Sequence, residues 1–483
     1  MLLTSILSQL IAIALFPNRW NLVLLSRIGM ISLIYSMLLT YNTCYINNLG
    51  LGLGIYNGLF QVTNVTQFID IFIYLLGALI LGITGFNSFK KNDVQIVNSF
   101  EFKQILEYPL IGCFLILGLQ FVTSSLNIIS LYLSLELQSF SLYILSSINQ
   151  TRNSSGRGLK YFLLGALSSC FILLGMGLLY SYSGVTSIES LVILYKVDSN
   201  NIFTQISLLI LITGLLFKLA IVPFHHWIVD VYDGVPTIIT TWLTTLTKIS
   251  ILIVLMDIIY YFHDSWVSIL TFLSLLSIIV GSVLGLVQTQ VKRLLIYSMI
   301  SHVGFLVLSL SLCTNKSLEA FMFYLIQYSI TNLNIFLILI AMGYYYNSKE
   351  ESPIRSLDVI KGFYKIDSVL SICFAISLLS LGGIPPLIGF FAKLNILYAT
   401  ISQGCIFISI VLVITSVISI SYYLKIIQLI FFEKPSIEFK EIIISNYLRY
   451  IIGVLTILIL FFLLYSDMLY NIVKILINKY FIN

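Results

Sequence analysis

Charge is what this sequence has least of. Asp, Glu, Lys and Arg together make up 9% of its 483 residues, against roughly 25% in a soluble domain. No long polar segment interrupts the chain, which leaves no room for a soluble domain or a nucleotide-binding fold. Cysteine occurs only as Cys44, Cys113, Cys170, Cys313, Cys373 and Cys405, singly and mostly within apolar stretches. Without CxxC spacing, neither an iron–sulfur cluster nor a zinc site is expected. With only 4 histidines, paired haem ligands exist only in principle. The first residues, MLLTSILSQLIAIALF, lack a basic n-region and a small-residue cleavage site, so they are expected to form a retained first helix rather than a signal or transit peptide. The net charge of +5 is not a nucleic-acid footprint, because the basic residues are scattered through short loops.

What fills the chain instead is apolar sequence, 59% by residue. Charge-free runs recur at membrane-spanning length, and a spanning helix needs about 20 apolar residues. Backbone groups in lipid must be satisfied internally, so runs this long mean helices. The expected fold is an all-α polytopic membrane protein of about 14 transmembrane helices, near 1–16, 28–42, 71–87, 107–122, 125–147, 159–183, 203–227, 236–260, 266–287, 294–312, 318–346, 367–400, 404–431 and 448–473. Loop charge tests the alternation. The loops after the odd-numbered helices hold 17 of the 25 Lys and Arg residues; the opposite side holds 4, and Lys218, Lys248, Lys393 and Lys425 lie inside helices. Such a bias follows the positive-inside rule and puts both termini on the outer side. The composition, heavy in Ile, Leu, Tyr, Phe and Asn, suits an AT-rich organelle genome.

The chain is organised around 217–248, FKLAIVPFHHWIVDVYDGVPTIITTWLTTLTK. Lys218 opens it and Lys248 closes it. Between them lie Pro223, the His225–His226 pair and a short acidic turn with Asp230 and Asp233. An ammonium at the centre of a membrane helix costs about 2.5–3.5 kcal/mol on insertion scales. Two on consecutive helices suggest a proton relay or an ion path; the alternative is snorkelling or structural pairing. Glu136, in a long apolar stretch, needs a partner, and Lys218 is the natural one. Thr240, Thr241, Thr244, Thr245 and Thr247 precede Lys248; their hydroxyls either line a file of waters or back-bond to their own helix. Lys393 follows Pro385–Pro386 in another charge-free stretch, and the two proline-interrupted helices, one with Lys218 and one with Lys393, form a loose inverted repeat. His302 reads either as a satisfied core residue or as a member of the path, with Asn332 and Asn334 as bridges. His225 is a candidate for relay or proton uptake; His226 fits helix-end hydrogen bonding better, and Lys425 fits snorkelling.

PFHHWIVDVYDGVPT resembles the signature PFHxWxPDxYxxxPT of the antiporter-like membrane subunits of respiratory complex I, with Val229 where the family usually has proline. GLKYFLLGALSS (158–169), VKRLLIYSMISHVG (291–304) and GGIPPLIGFFAK (382–393) resemble further motifs of the family. The YDG variant and Lys393 place the resemblance in its subunit 2 branch. The resemblance implies two inverted five-helix repeats, each with a broken helix. The expected division is an N-terminal three-helix segment (1–100), a first unit (101–262), a second unit (263–432) and a final helix (433–483). It implies a proton relay through Glu136, Lys218, Lys248 and Lys393 in a proton-translocating NADH:ubiquinone oxidoreductase of the mitochondrial inner membrane, a bacterial plasma membrane being the lesser alternative. No cofactor is expected in this chain, since flavin, iron–sulfur clusters and quinone would sit on partner subunits. The expected partners are the other membrane subunits of the complex, and lipids. The competing readings are a subunit of a multi-component Na⁺/H⁺ antiporter and a purely structural scaffold.

The charge bias generates a topology test. Tags or protease sites at residues 3 and 480 should be reachable from the outer face of sealed vesicles; labelling only from the inner face contradicts the helix alternation.

Overall fold

The computed structural model describes residues 1–15, 22–46, 52–84, 88–90, 96–97, 105–149, 151–197, 201–262, 266–345, 354–435, 442–443 and 445–481. Among these residues the helices, in chain order, are α1 (Leu2–Leu15), α2 (Leu22–Ile46), α3 (Asn64–Ile83), α4 (Tyr108–Ser124), α5 (Ile128–Ser147), α6 (Arg152–Ser183), α7 (Ile188–Val197), α8 (Ile202–Leu219), α9 (His226–Gly234) and α10 (Thr237–Thr244). They continue as α11 (Leu246–Tyr261), α12 (Val267–Val287), α13 (Val291–Ser311), α14 (Asn315–Gly343), α15 (Ser368–Gly382), α16 (Ile388–Ser402), α17 (Ile406–Phe432), α18 (Asn446–Leu460) and α19 (Phe462–Phe481). Ten spans are long and apolar enough to cross a membrane, α10 and α11 together making one of them, and five shorter helices are also apolar. A hairpin pairs β1 (Leu53–Ile55) with β2 (Phe60–Val62), and β3 (Ser88–Lys90) pairs with both β4 (Ile96–Val97) and β5 (Ile442–Ile443).

The interior is built around α11, α13 and α14. At least 94% of the spanning window of each is buried, whereas α6, α12 and α17 are 33% buried and turn broad Leu, Ile and Phe faces outward. A helix apolar all round belongs inside, where neighbours rather than lipid surround it. Small residues let backbones close up: a Cβ on Gly118 would stand 2.9 Å from the Gln138 nitrogen, and one on Gly281 2.7 Å from the Ser301 nitrogen.

Several expected helices are subdivided. The seventh, placed at 203–227, stops at Leu219, and what reads as an acidic turn around Asp230 is the helix α9. The eighth is bent at Thr245 between α10 and α11. The twelfth is cut after Gly382, as its glycines and prolines anticipate, and the last divides at Phe461. The short helix α7, with Glu189 in its first turn and Lys196 in its last, falls in what the hydropathy pattern leaves as a loop.

Glycine packing generates the next test. A Cβ on Gly389 would stand 1.7 Å from the Ser380 carbonyl oxygen, whereas Gly177 and Gly453 have open space. Gly389→Ala is expected to cost at least about 1–3 kcal/mol and to lower both the yield and the melting temperature of purified protein. Gly177→Ala should leave both unchanged.

Candidate functional site: two helix breaks and the lysines on them

Both broken helices end in the same hydrogen-bond pattern. At the first, Ala220 takes a left-handed φ of +61°; its N–H donates to the Leu216 and Phe217 carbonyls, and Ile221 donates to Leu216. At the second, Gly383 takes φ +85°; its N–H donates to Leu379 and Ser380, and Ile384 donates to Leu379. These are Schellman closures. Each is followed by a turn, from Phe224 N–H to the Ile221 carbonyl and from Leu387 N–H to Ile384. The two breaks therefore correspond residue for residue, Leu219 matching Gly382 and Pro223 matching Pro386. Proline stops each helix because it has no N–H to continue the ladder.

The carbonyls left over at each break point into the protein, and a lysine answers each. Lys248 Nζ, from α11, donates to the Leu219 oxygen at 2.7 Å and to the Lys218 oxygen at 3.4 Å. Lys393 Nζ, from α16, donates to the Gly382 oxygen at 2.7 Å. Both lysines are buried. A cation at a helix C-terminus also meets the negative end of the macrodipole, a favourable contact of up to about 2 kcal/mol in partly buried settings. The loose sequence symmetry pairs Lys218 with Lys393, and the structure corrects it. By the carbonyl it holds, Lys248 corresponds to Lys393, while the position of Lys218 corresponds to Leu381.

Lys218 instead faces Glu136 of α5. Its Nζ stands 3.9 Å from Oε1, with the two side chains 11% and 17% exposed. This is an ion pair at its outer limit, and neither atom has a hydrogen-bond partner. The other carboxylate oxygen accepts from Ser139 Oγ at 3.3 Å. A loose pair in a poorly solvated place is well suited to making and breaking, because no short hydrogen bond holds it.

The remaining candidates are distributed as follows. All five threonines donate to carbonyls of their own segment, for example Thr241 to Ile238 at 2.6 Å and Thr245 to Thr241 at 2.6 Å. Back-bonding thus occupies each hydroxyl donor locally, the second of the two readings, and leaves only acceptor lone pairs for water. The bend at Thr245 turns the Thr244 carbonyl outward, where it accepts from Tyr328 Oη at 3.3 Å and Asn332 Nδ2 at 3.4 Å. His302 is buried with both ring nitrogens against hydroxyls, Nδ1 to Tyr324 at 2.6 Å and Nε2 to Tyr423 at 3.2 Å, and its ring lies 6.0 Å from that of Tyr328. Phe305, one turn on from His302, stacks on Tyr324 and lies under the Lys393 ammonium. Asn332 bonds the Thr244 carbonyl and, at 3.4 Å, Tyr328 Oη rather than His302 itself, whereas Asn334 is buried with no hydrogen-bond partner for its amide among the described residues. His225 is buried at the start of α9, its ring 4.1 Å from that of exposed His226. The cap position of α9 is His225, which makes no side-chain cap bond; His226 is exposed, and so is Lys425, as snorkelling requires. The tyrosines Tyr324, Tyr328 and Tyr423 carry no mark in the sequence beyond the i, i+4 spacing of the first two.

A charged cluster surrounds α9. Lys160 and Arg157 of α6 face Asp230, and Arg293 Nε of α13 bonds Asp233 Oδ2 at 3.0 Å. Lys292 Nζ donates to the Val235 oxygen at 3.1 Å. These basic residues come from loops assigned to one side by the charge bias. Partial burial pushes the Asp230 carboxyl up, but the hydrogen bond and charge of Lys160, with Arg157 and Arg293, bring it below the ordinary carboxylate range.

Residues 125–419, which carry both breaks, match the family model described as NADH:quinone oxidoreductase/Mrp antiporter, TM. The chain belongs to this family. It is 46% identical over 448 residues to NADH-ubiquinone oxidoreductase chain 2 of Rhizopus oryzae, covering 90% of this chain and 86% of that one. It is 34% identical to NADH-quinone oxidoreductase subunit N of Pelagibacter ubique, covering 89% and 88%. Among solved structures it resembles a chain of respiratory complex I from Thermus thermophilus, with a TM-score of 0.79, 25% identity and coverage of 98% and 99%. A chain of the Mrp complex from a Dietzia species shares the fold at a TM-score of 0.84 and 18% identity, covering 99% and 95%.

The second break generates a test. A Cβ on Gly383 would stand 2.8 Å from Lys393 Cδ at a backbone angle that disfavours any side chain. Gly383→Ala is expected to cost about 1–2 kcal/mol, read as a lower melting temperature. A structure of the variant should show Lys393 Nζ displaced from the Gly382 carbonyl.

Proposed function

We infer that this chain is a proton-translocating membrane subunit of mitochondrial NADH:ubiquinone oxidoreductase, embedded as a multi-pass protein in the inner membrane beside the complex's other membrane subunits. The observation that carries this reading is a pair of matching helix breaks, each holding a buried lysine ammonium, in a chain 46% identical to an NADH-ubiquinone oxidoreductase chain 2. Counting α10 with α11, α15 with α16 and α18 with α19 as one crossing each, and leaving out the short α7 and α9, gives fourteen crossings, with units at 101–262 and 263–432 flanked by segments 1–100 and 433–483. The equivalence of the breaks supports that division. In this reading NADH oxidation, the flavin, the iron–sulfur clusters and the quinone belong to partner subunits.

The relay runs laterally. Glu136 holds the Lys218 ammonium charged. When the pair separates, an unpaired charge is left in an apolar place, and the protein relieves it by passing the proton on. Lys248 is the next base, because its ammonium already touches the Lys218 backbone oxygen. From the Thr244 carbonyl, Tyr328 and Asn332 lead to His302 and its two tyrosines, and then to Lys393. His302 suits the middle station, since an imidazole accepts at one nitrogen while donating from the other. His225, beside the first break, is the residue we assign to proton uptake.

Lys218→Arg tests the relay. Guanidinium keeps the charge that pairs with Glu136 but does not release protons at accessible pH. The variant should assemble and fail in NADH-driven pumping. Lys218→Ala removes one partner of the pair, at a cost of about 3–5 kcal/mol if Glu136 stays charged; protonation of Glu136 relieves most of this, so assembly should survive while pumping is lost. Unchanged proton pumping coupled to NADH oxidation in Lys218→Arg means that Lys218 carries no proton.

A further inference from the structure

One carboxyl within the bundle has no place in that relay. Asp70, in α3, is 7% exposed, and one of its oxygens accepts from Thr123 Oγ1 of α4 at 3.2 Å. Among the described residues no ion pair forms at Asp70. The groups facing it are Tyr74 on its own helix and Thr123 on α4, and neither is a cation. An isolated carboxyl is an expensive thing to keep inside a membrane helix and marks a functional site by default. A purely structural contact to one threonine would be served as well by asparagine.

One turn from Asp70, at Tyr74, lies space that water can occupy. A cavity of about 280 Å³ lies between α1, α2, α3 and α4, walled in part by Leu2, Ser36, Thr40, Tyr74, Gln120 and Phe121. Each water takes about 30 Å³ and needs two to four polar partners; Tyr74 and Gln120 line the space, and the Ser36 and Thr40 hydroxyls, which donate to the Leu33 and Met37 carbonyls, accept from water. Met1, at the mouth, is exposed, and the charge bias puts it on the outer side. Asp70 lies six residues into α3, about 9 Å along its axis. Tyr74 follows it by one turn, and Gln120, which hydrogen-bonds Tyr74, precedes Thr123 by one turn on α4. The cavity therefore reaches the groups that flank the carboxyl. On its other face α4 packs at Gly118 against Gln138 of α5, and the Gln138 side-chain oxygen accepts from Ser250 Oγ at 3.2 Å, two residues beyond Lys248.

We propose that Asp70 is a proton-exchanging site on an outer-side branch, loaded from and discharged to water in the α1–α4 cavity. The chemistry is proton transfer alone. A proton carried by cavity water adds to the carboxylate oxygen that Thr123 leaves free, and the same O–H bond breaks on release, with no change of oxidation state. Tyr74 and Gln120 orient the water.

The proposal rests on the proton-translocating reading above, and its test separates the two. Asp70→Asn is placed in the assembled complex, reconstituted in vesicles, beside the unmodified complex. Asparagine keeps the shape and the hydrogen bond from Thr123 but cannot hold the proton. Expected are normal assembly, normal NADH oxidation with a soluble electron acceptor, a fall of about tenfold or more in coupled pumping, and loss of a carboxylic-acid infrared band that shifts in D₂O. Equal pumping in the two complexes overturns the proposal. If the unmodified complex pumps nothing, the functional reading fails instead; the infrared band then judges Asp70 alone, and its absence from the unmodified complex overturns the site. Should the asparagine variant not assemble, Ser36→Leu fills the cavity without touching the acid. Full pumping in that variant overturns the proposal, and reduced pumping with the band retained supports it.

Discussion

A helix that stops inside a packed bundle leaves carbonyls that neither its own ladder nor solvent satisfies, and the rest of this structure follows from how two such ends are covered. Each break turns one residue left-handed and closes two bonds back into the preceding turn. That leaves the Leu219 and Gly382 oxygens, and a lysine ammonium covers each. Each arrangement solves two problems at once. The exposed helix end gains a charged donor, and a costly buried ammonium gains a fixed acceptor and the negative pole of a helix. In the proposed relay, lysine suits the position better than arginine because it can release a proton and take it back.

A set of buried polar groups runs between these two points. The bend at Thr245 frees one carbonyl for Tyr328 and Asn332, and the two tyrosines around His302 leave neither ring nitrogen idle. The Glu136–Lys218 pair differs in kind. At 3.9 Å and with no hydrogen bond, it is the loosest ionic contact among these groups, while its neighbours are held at ordinary hydrogen-bond lengths. In a line of otherwise satisfied groups, the loose contact is the one that can move at small cost.

Much of this was legible in the chain. The apolar runs, the loop charge and Pro223 with Pro385–Pro386 anticipate the spans and both interruptions. The lysines stand out because charge is so rare. The misreadings have physical causes. Ala220 at a left-handed angle gives no glycine signal, so the end of α8 at Leu219 is invisible and α9 reads as a turn. Lys248 and Lys393 reach matching carbonyls from differently placed helices, so linear order pairs the wrong lysines. Thr240 to Thr247 admit two readings in sequence, and only the fold shows each hydroxyl donating to a carbonyl of its own segment. Tyr324, Tyr328 and Tyr423 are three of 30 tyrosines in the chain, and only the tertiary fold singles them out.

In the proposed relay the lysines on the breaks carry protons rather than merely covering carbonyls. The most direct measurement replaces Lys248 with methionine, similar in length and uncharged, and follows proton uptake and NADH oxidation in vesicles containing the assembled complex. Expected are intact assembly, normal NADH oxidation with a soluble acceptor, and collapse of coupled pumping. Pumping at the unmodified ratio of protons to NADH would contradict it and would leave Lys248 as a structural cover for the end of a broken helix.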